Sequence, residues 1–468
     1  MSATPSHAPG SRTHQMLHGP LLGTLLRLAT PNIIGLFATT FVIGYDGFIL
    51  GRIGPGALAG VALVFPLSML MLQMSAGGIG GGVTAAVARA VGAGRHEDAN
   101  RLAQHALLVA VLLAALFMVL VLGFGSALYG AMGGRGAALS EALAYSTVLF
   151  SGAIVICATN VLAAIVRGAG NMVLPSLSLV GTALIHLVLC PVLAFGWGPA
   201  PSLGVAGAAA STLISNALAS LMLIAWLVRR DGEVRLNAER WQFRRDLFDA
   251  ILKVGAPASL SPLISNASIA TATALVGTFG TAALAGYGVA ARLEYILVPI
   301  AFGFGTALTA MVATNMGAGQ HRRALHVTWL GAAVVTAITG AIGITAAVAP
   351  GLWMNLFTAD PDVRAFGGAY LNIVGACYAF FGLGLALFFA SQGAGRMLWP
   401  LVGSAARLLV IALGGWAAVH WLKLPATAFF AATAASLAIY AAIIAGAIAL
   451  GGWAPAKTPR PSTRAVSR

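Results

Sequence analysis

Two carboxylates lie inside otherwise apolar sequence, and they are the residues with which this chain could do chemistry. Asp46 is the only charged residue in the stretch TTFVIGYDGFIL at 39–50, and Glu294 lies in a second apolar run. The chain has only 12 Asp and Glu residues in 468, and the others fall in predicted loops or at the ends of predicted helices. An ionised carboxylate at bilayer depth costs about 2.5 kcal/mol or more. Each of the two is therefore expected to have a partner, a bound proton or a water-filled cavity.

Both carboxylates also have a purely structural interpretation. Asp46 lies six residues before Arg52, a position that also suits a helix end at the membrane interface. Glu294 is two residues from Arg292, which lies on a different helical face, so a neighbouring helix must supply its partner. A hydrogen bond that only joins two helices is the alternative to a functional role for Glu294.

The composition identifies the kind of element that holds these residues. The chain is 59% hydrophobic and 8% charged, with a mean hydropathy of +0.91, whereas soluble domains carry roughly a quarter charged residues. Its apolar runs exceed the ~20 residues that span a bilayer as a helix, and they lack the alternation of a membrane β-barrel. The fold class is therefore an all-α integral membrane protein. The three cysteines lie in apolar runs without a CxxC pattern, and the polar first 20 residues indicate no cleavable signal peptide.

The apolar runs predict twelve membrane-spanning helices in two lobes of six. Their limits are 21–49, 56–90, 100–130, 138–167, 172–197, 203–228, 247–277, 282–315, 322–354, 363–391, 397–420 and 425–451. The predicted domains are therefore an N-terminal tail at 1–20, lobes at 21–228 and 247–451, a linker at 229–246 and a basic tail at 452–468.

The two lobes are predicted to be copies of one another. VRGAGNMVLP at 166–175 recurs as SQGAGRMLWP at 391–400, and LRLATP at 26–31 recurs as LKVGAP at 252–257, at offsets of 225 and 226 residues. Six spans per copy leave both lobes in the same orientation, related by a pseudo-two-fold axis along the membrane normal. Such lobes enclose a cavity and open it alternately to either side of the membrane.

The placement of Lys and Arg predicts the orientation of the chain in the membrane. With the N-terminus inside, the predicted inner segments hold 20 of the 26 basic residues and the outer loops hold four. This bias places both termini in the cytoplasm and indicates a bacterial cytoplasmic membrane. It also accounts for the net charge of +14 without a nucleic-acid partner.

The sequence resembles the multidrug and toxic compound extrusion (MATE) family over about residues 21 to 450. The resemblance rests on an ordered set of motifs. These are the pattern P-x(14)-D-G-F-x-x-G-R-I-G from Pro31 to Gly54, VARAVGAG, VRGAGNMVLP, LGVAGAAAST and ARLEYILVPIAFGFGTALTAMVATNMGAG.

Membership of that family implies ion-coupling roles for both carboxylates. Asp46 matches the membrane-embedded Asp of the first helix, which is tied to proton or Na⁺ coupling in the family, and Glu294 matches an acidic residue of the eighth helix. The sequence departs from the family at three places. A Glu of the seventh helix is matched by Ser265, an acid of the tenth helix is missing near Phe381, and an Asn–Asp pair of the fifth helix is replaced.

That replaced pair reads His186 and Cys190, which are four residues apart and hence on one helical face. Na⁺ requires several hard oxygen ligands, by the reasoning that applies to Ca²⁺, whereas imidazole titrates near neutral pH. We therefore expect proton coupling in which His186 acts with Asp46, and no bound metal or cofactor. A neutral His186 that only bonds across helices is the alternative.

The function expected from these features is the export of amphipathic organic cations in exchange for protons by a monomeric, non-enzymatic transporter. Polar residues predicted in mid-span positions are candidates to line its cavity, although each would serve equally well in helix packing. These candidates are Asn160, Asn216, Ser265, Asn266 and Arg292.

Several other functions remain as alternatives. Na⁺-coupled export changes only the ion. A flippase of lipid-linked precursors, or an exporter of other endogenous metabolites, would favour a cavity rich in Arg and Lys, and only Arg292 and Arg407 lie within spans. A major-facilitator transporter is disfavoured because the basic and acidic loop signature of that class after the second span is not evident in GAGRHEDANR. A membrane enzyme is disfavoured by the absence of HExxH, GxSxG and paired intramembrane aspartates, and a channel by the asymmetric duplicated lobes.

Overall fold

The computed structural model describes residues 11–197, 201–229, 233–236 and 242–453, and this part of the chain is helical without a strand. Parts of the predicted tails and linker, residues 1–10, 230–232, 237–241 and 454–468, lie outside the described residues. The helices are α1 (Arg12–His18), α2 (Leu21–Ile53), α3 (Pro55–Leu72), α4 (Gly80–Gly92), α5 (His96–Ala131), α6 (Gly136–Ser151), α7 (Ala153–Gly168), α8 (Val173–Phe195), α9 (Gly204–Val228), α10 (Arg245–Gly277), α11 (Thr281–Ala291), α12 (Glu294–Gly317), α13 (His321–Val348), α14 (Gly351–Met354), α15 (Pro361–Val374), α16 (Tyr378–Ala394), α17 (Leu398–Leu409) and α18 (Ala426–Ala449).

These helices confirm the predicted all-α membrane fold. Among the described residues, eleven helical segments are long and apolar enough to cross a membrane, or twelve when α6 and α7, which are bent by 50° at their junction, are counted as one span. The ninth predicted span, 322–354, extends nearly two turns too far, because α13 ends at Val348 and a separate short helix follows. Pro350 explains the break, since the residue before a proline is disfavoured in the α conformation.

The spans form two lobes, α2–α9 and α10–α18, which meet mainly on one side of the membrane. We call this the terminal side, because α1 and the start of α2 lie there. On this side α4 packs against α10, α12 and α16, and α2 packs against both α8 and α12. Toward the opposite side, α3 packs chiefly on α6 and α11 chiefly on α15, each within its own lobe. The cleft between the lobes therefore opens away from the terminal side.

Glycines allow the close approach of the lobes on the terminal side. A Cβ atom added to Gly82 of α4 would lie 2.7 Å from the backbone nitrogen of Gly255 in α10. Cβ atoms at Gly92 and Gly317 would overlap the backbone carbonyls of Thr314 and Arg89 on the facing helix. We call this contact, in which small residues let two helix backbones touch, the glycine seam.

The predicted N-terminal tail contains α1, which packs between the lobes on the terminal side. Ser11 caps this helix by accepting a hydrogen bond from the His14 amide at 3.1 Å. Met16 is only 1% exposed, and its carbonyl accepts a hydrogen bond of 3.2 Å from the Asn315 side chain at the end of α12. Its side chain also lies against Gly170, between α7 and α8, so α1 contacts both lobes.

Candidate functional site

A cavity of about 440 Å³ lies within the first lobe, and Asp46 is on its wall. Helices α2, α3, α6, α7, α8 and α9 form the cavity, so all of its lining residues belong to one lobe. Apolar side chains such as Phe65, Met69 and Leu72 make up most of the wall. Asp46 lies two turns before the end of α2 at Ile53, toward the side on which the cleft is open.

The carboxylate of Asp46 is bonded to the imidazole of His186 across the α2–α8 contact. The Oδ1 atom of Asp46 is 2.6 Å from Nε2 of His186. The Asp46 side chain is 28% exposed and that of His186 is 3% exposed. The carboxylate therefore forms the solvent-reachable end of the pair, and the imidazole forms its buried end.

A third helix, α9, holds the imidazole ring in this orientation. Nδ1 of His186 is 3.0 Å from Oγ of Ser211 and 3.5 Å from Oγ1 of Thr212, both on α9. The thiol of Cys190, one turn after His186 on α8, lies 3.9 Å from Oδ1 of Asp46. The pair therefore joins α2, α8 and α9 through one imidazole ring.

The short contact between Asp46 and His186 requires a proton between the two atoms, because a bare carboxylate oxygen and an unprotonated ring nitrogen would repel. If Nδ1 of His186 also carries a proton, donated to Ser211, the pair is neutral overall. If Ser211 donates to Nδ1 instead, the pair keeps one negative charge. The difference between these two arrangements is one proton, which is the property needed of a proton-binding site.

The same residues also form a group of potential metal ligands. The ligand atoms of Asp46, His186 and Cys190 all lie within 4.8 Å of one another. Oxygen, nitrogen and sulfur together suit a borderline metal such as Zn²⁺ rather than Na⁺. In this conformation the 2.6 Å contact is that of a hydrogen bond, since ligands about 2.0–2.2 Å from a tetrahedral zinc lie farther apart.

Of the five cavity residues predicted from the sequence, the cavity contains two. Asn160 and Asn216 line it; the Asn160 amide donates to Ser75 at 2.9 Å and the Asn216 amide to the Thr212 carbonyl at 2.9 Å. Ser75 belongs to a π-helical segment, Gln73–Ile79, that joins α3 to α4.

The other three predicted residues belong to the second lobe and do not line this cavity. Ser265 and Asn266 lie on α10, and the Asn266 amide donates to the Pro262 carbonyl one turn earlier. Arg292 is exposed at the break between α11 and α12, with its guanidinium 5.9 Å from the ring centre of Phe357. These three residues do not line the cavity because it forms inside the first lobe rather than between the two lobes.

Glu294 lies in the second lobe, apart from the Asp46 cavity. It is the first residue of α12, and the groups that act on it are Arg407 of α17 and the hydroxyl of Tyr378 of α16. Both of these groups belong to neighbouring helices of the second lobe. The two embedded carboxylates therefore lie in separate environments, Asp46 beside an imidazole and Glu294 near a guanidinium.

Sequence reasoning missed Arg167, which lines the cavity from the last turn of α7. In the sequence, Arg167 is one of the basic residues that predict the topology. The alignment of the two repeats could have identified it as unusual, because the equivalent position in the second lobe is the neutral Gln392.

Two lobes of membrane-spanning helices around a one-sided cleft, with a carboxylate on the wall of a membrane-embedded cavity, are typical of membrane transporters built from parallel repeats. The MatE family model matches residues 31–192 and 257–416, most of the chain. The chain belongs to this family, as its resemblance to MATE proteins predicted. The two matched segments begin 226 residues apart, one in each lobe, as the sequence repeats do.

Curated relatives are similar over most of their length. The FAD transporter of Shewanella oneidensis is 26% identical, over 86% of this chain and 88% of that protein. The multidrug export protein MepA of Staphylococcus aureus is 22% identical, over 90% of this chain and 94% of that protein.

Solved structures are similar over nearly the whole chain. A MOP-superfamily transporter from Pyrococcus furiosus has a TM-score of 0.87 at 25% identity and covers 96% of this chain and 100% of its own. The outward-facing conformation of a multidrug resistance MATE transporter has a TM-score of 0.86 at 25% identity, over 95% of this chain and 99% of its own. The protein is therefore a multi-pass membrane transporter for small molecules, not an enzyme.

Proposed function

We propose that the protein exports amphipathic organic compounds across the bacterial cytoplasmic membrane in exchange for protons, with the Asp46–His186 pair as the coupling site. The observation that carries this proposal is the 2.6 Å contact between the two side chains on the wall of the cavity. A proton gained or lost there changes the charge of the cavity wall at the place where α2, α8 and α9 are joined.

The side to which the cleft opens follows, in this proposal, from the charge distribution. The bias of Lys and Arg places the termini in the cytoplasm, so the cleft of this conformation faces outward. One chain supplies every wall of the cavity, and in our proposal the protein works as a monomer. Protons from outside reach Asp46 through its exposed face.

Proton uptake and substrate release are coupled through the charge of the pair. With only the proton shared between Asp46 and His186, the pair carries one negative charge and attracts a cationic substrate. With a second proton, on Nδ1 of His186, the pair is neutral and that attraction is lost, so protonation from outside favours substrate release. Coupling of this kind requires only that the two conformations differ in their affinity for the proton.

The walls of the cavity support a broad choice of substrate. Phe65, Met69, Met71 and Leu72 line it, and Met side chains adapt to ligands of different shape. The multidrug names of several relatives support drugs as substrates, and the carboxylate supports cationic ones. A second candidate is an endogenous metabolite, which the name of the Shewanella relative, FAD transporter, favours.

The proposal is tested with purified protein in liposomes. An imposed pH gradient should drive accumulation of a fluorescent organic cation, and a Na⁺ gradient alone should not. Asp46→Asn should reduce ΔpH-driven transport by about 10- to 100-fold, the range of typical coupling free energies.

Asp360→Asn is the matched control. Asp360 caps α15 in the second lobe, away from the cavity, and Asn also caps helices well, so this variant should transport normally. Full ΔpH-driven transport by Asp46→Asn would contradict the coupling role. Transport that requires Na⁺ and ignores pH would contradict the choice of ion.

A further inference from the structure

Arg167 brings a guanidinium group to the cavity at the end remote from Asp46. It lies in the last turn of α7, three residues before Gly170, which contacts α1 on the terminal side. Its Nε atom is buried and has no hydrogen-bond partner. Within the described part of the chain, no ion pair or side-chain hydrogen bond involves Arg167.

Two other sheltered guanidinium groups of the described chain donate hydrogen bonds to backbone carbonyls, Arg89 to that of Gly393 at 3.0 Å and Arg323 to that of Gly19. Arg407 has a buried Nε atom without a hydrogen-bond partner, as Arg167 does, but its charge lies in the field of Glu294. Arg167 differs from all three because it lines the cavity.

A guanidinium within a membrane protein is costly without a counter-charge. The negative end of α7 offsets only part of that cost, since a helix terminus contributes about 0.3–1 kcal/mol. The carboxylate in the same cavity is that of Asp46, which His186 already engages. The charge of Arg167 is thus available to a ligand.

The second lobe shows that this position does not need a charge for folding. The residue equivalent to Arg167 in the repeat is Gln392, which is fully buried and donates to the Gly77 carbonyl at 2.9 Å. A neutral amide therefore serves at the end of the equivalent helix. The positive charge is specific to the lobe that contains the cavity.

We propose that Arg167 forms a subsite for the acidic group of an amphipathic substrate, a carboxylate or a phosphate, whose apolar body lies along the cavity wall. The planar fork of guanidinium donors matches either group with two parallel hydrogen bonds. The substrates are then zwitterions or amphipathic anions, with any cationic group directed toward Asp46. This assignment rests on the proposed export of organic compounds, but not on the identity of the coupling ion.

Binding to the purified protein tests the subsite separately from transport. The probes are a rhodamine dye with a free carboxylate and its methyl ester, which have the same ring system. Fluorescence anisotropy should show tighter binding of the acid to the wild type. Arg167→Gln should weaken binding of the acid by about 10- to 100-fold, the value of hydrogen bonds to a charged group, and leave the ester unchanged.

Arg52→Gln is the control for general charge attraction. Arg52 is exposed near the open side, with its guanidinium 4.9 Å from the ring centre of Phe48, so its loss should affect neither dye selectively. Arg167→Lys keeps the charge and should retain a reduced preference for the acid. Equal weakening of both dyes in Arg167→Gln, or no preference in the Lys variant, would overturn the subsite.

Competition identifies the source of the acidic group. An alkyl carboxylate and an alkyl phosphate should each displace the acidic dye from the wild type. Displacement by anionic phospholipid alone would mean that Arg167 holds a lipid headgroup, and it would overturn the substrate assignment. Asp46→Asn should retain the preference for the acid, so a failure of proton coupling is distinguishable from a failure of the subsite.

Discussion

At the scale of single residues, the embedded carboxylate of Asp46 is bonded to the imidazole of His186. Asp46 supplies the exposed end, and His186 supplies the buried end with Ser211 behind it. The imidazole is therefore a positioning residue as well as a place for the proton. Loss of either member should affect the response to pH, not only the rate of transport.

We expect His186→Asn to reduce ΔpH-driven transport by about 10- to 100-fold, because a hydrogen bond to a charged group is lost. The dependence of the remaining activity on external pH should differ from that of the wild type, since no imidazole shares the proton with Asp46. The measurement is initial transport rate in liposomes as a function of external pH.

Cys190→Ser provides the matched comparison on the same face of α8. Its thiol is 3.9 Å from Asp46, a weak contact, so the rate and the pH profile should change little. A His186→Asn protein with the wild-type pH profile would show that the ring only packs there.

The approximate span limits and the embedded position of Asp46 could be predicted from the sequence because the bilayer imposes them, whereas His186 was indicated by the resemblance to the MATE family. A helix must cross about 30 Å of hydrocarbon, and a charge within it is conspicuous in apolar sequence. Arg407 near Glu294 and the cavity face of Arg167 could not be predicted, because each depends on contacts between helices that are distant in sequence. Local pattern contains no information on which faces of two helices meet.

At the scale of elements, α1 is the helix that the sequence did not predict. It has only seven residues, too few to be stable alone, so its order comes from the contacts of Met16 with α12 and Gly170. Since those contacts lie on both lobes, α1 should stabilise the conformation in which the terminal side is closed.

We expect Met16→Ala to loosen the terminal side, because removal of a buried Met side chain costs about 2–5 kcal/mol. Hydrogen–deuterium exchange should become faster in α1 and at the C-terminal end of α12. Leu22→Ala is the control, since Leu22 is 45% exposed and exposed substitutions change stability by about 0.5 kcal/mol or less. Unchanged exchange in Met16→Ala would show that α1 is not needed for closure.

At the scale of the whole molecule, the two lobes close one side through the glycine seam and separate on the other. In the proposed transport cycle, the side that is closed and the side that is open change places. Proton uptake at Asp46 then acts on an equilibrium between two packings of rigid lobes, and it shifts that equilibrium only through a difference in proton affinity.

We expect the distance between the lobes on the open side to depend on pH. Spin labels at Arg135, before α6, and Thr281, at the start of α11, report this distance by pulsed electron resonance. The populations of long and short distances should change with pH in the wild type and stay constant in Asp46→Asn. A pH response that survives this substitution would place the proton switch elsewhere, for instance at Glu294.

The glycine seam has a consequence for how fast such a protein can work. Where backbone meets backbone, no side chain has to leave a pocket before the surfaces part, and the attraction is a sum of atom pairs worth about 0.1–0.2 kcal/mol each. The seam itself can therefore part without such a step, and the hydrogen bonds that must break include those of Arg89 to Gly393 and of Gln392 to Gly77 across the lobes. Even one added methyl group at Gly82 would act like a wedge and favour the inward-facing form.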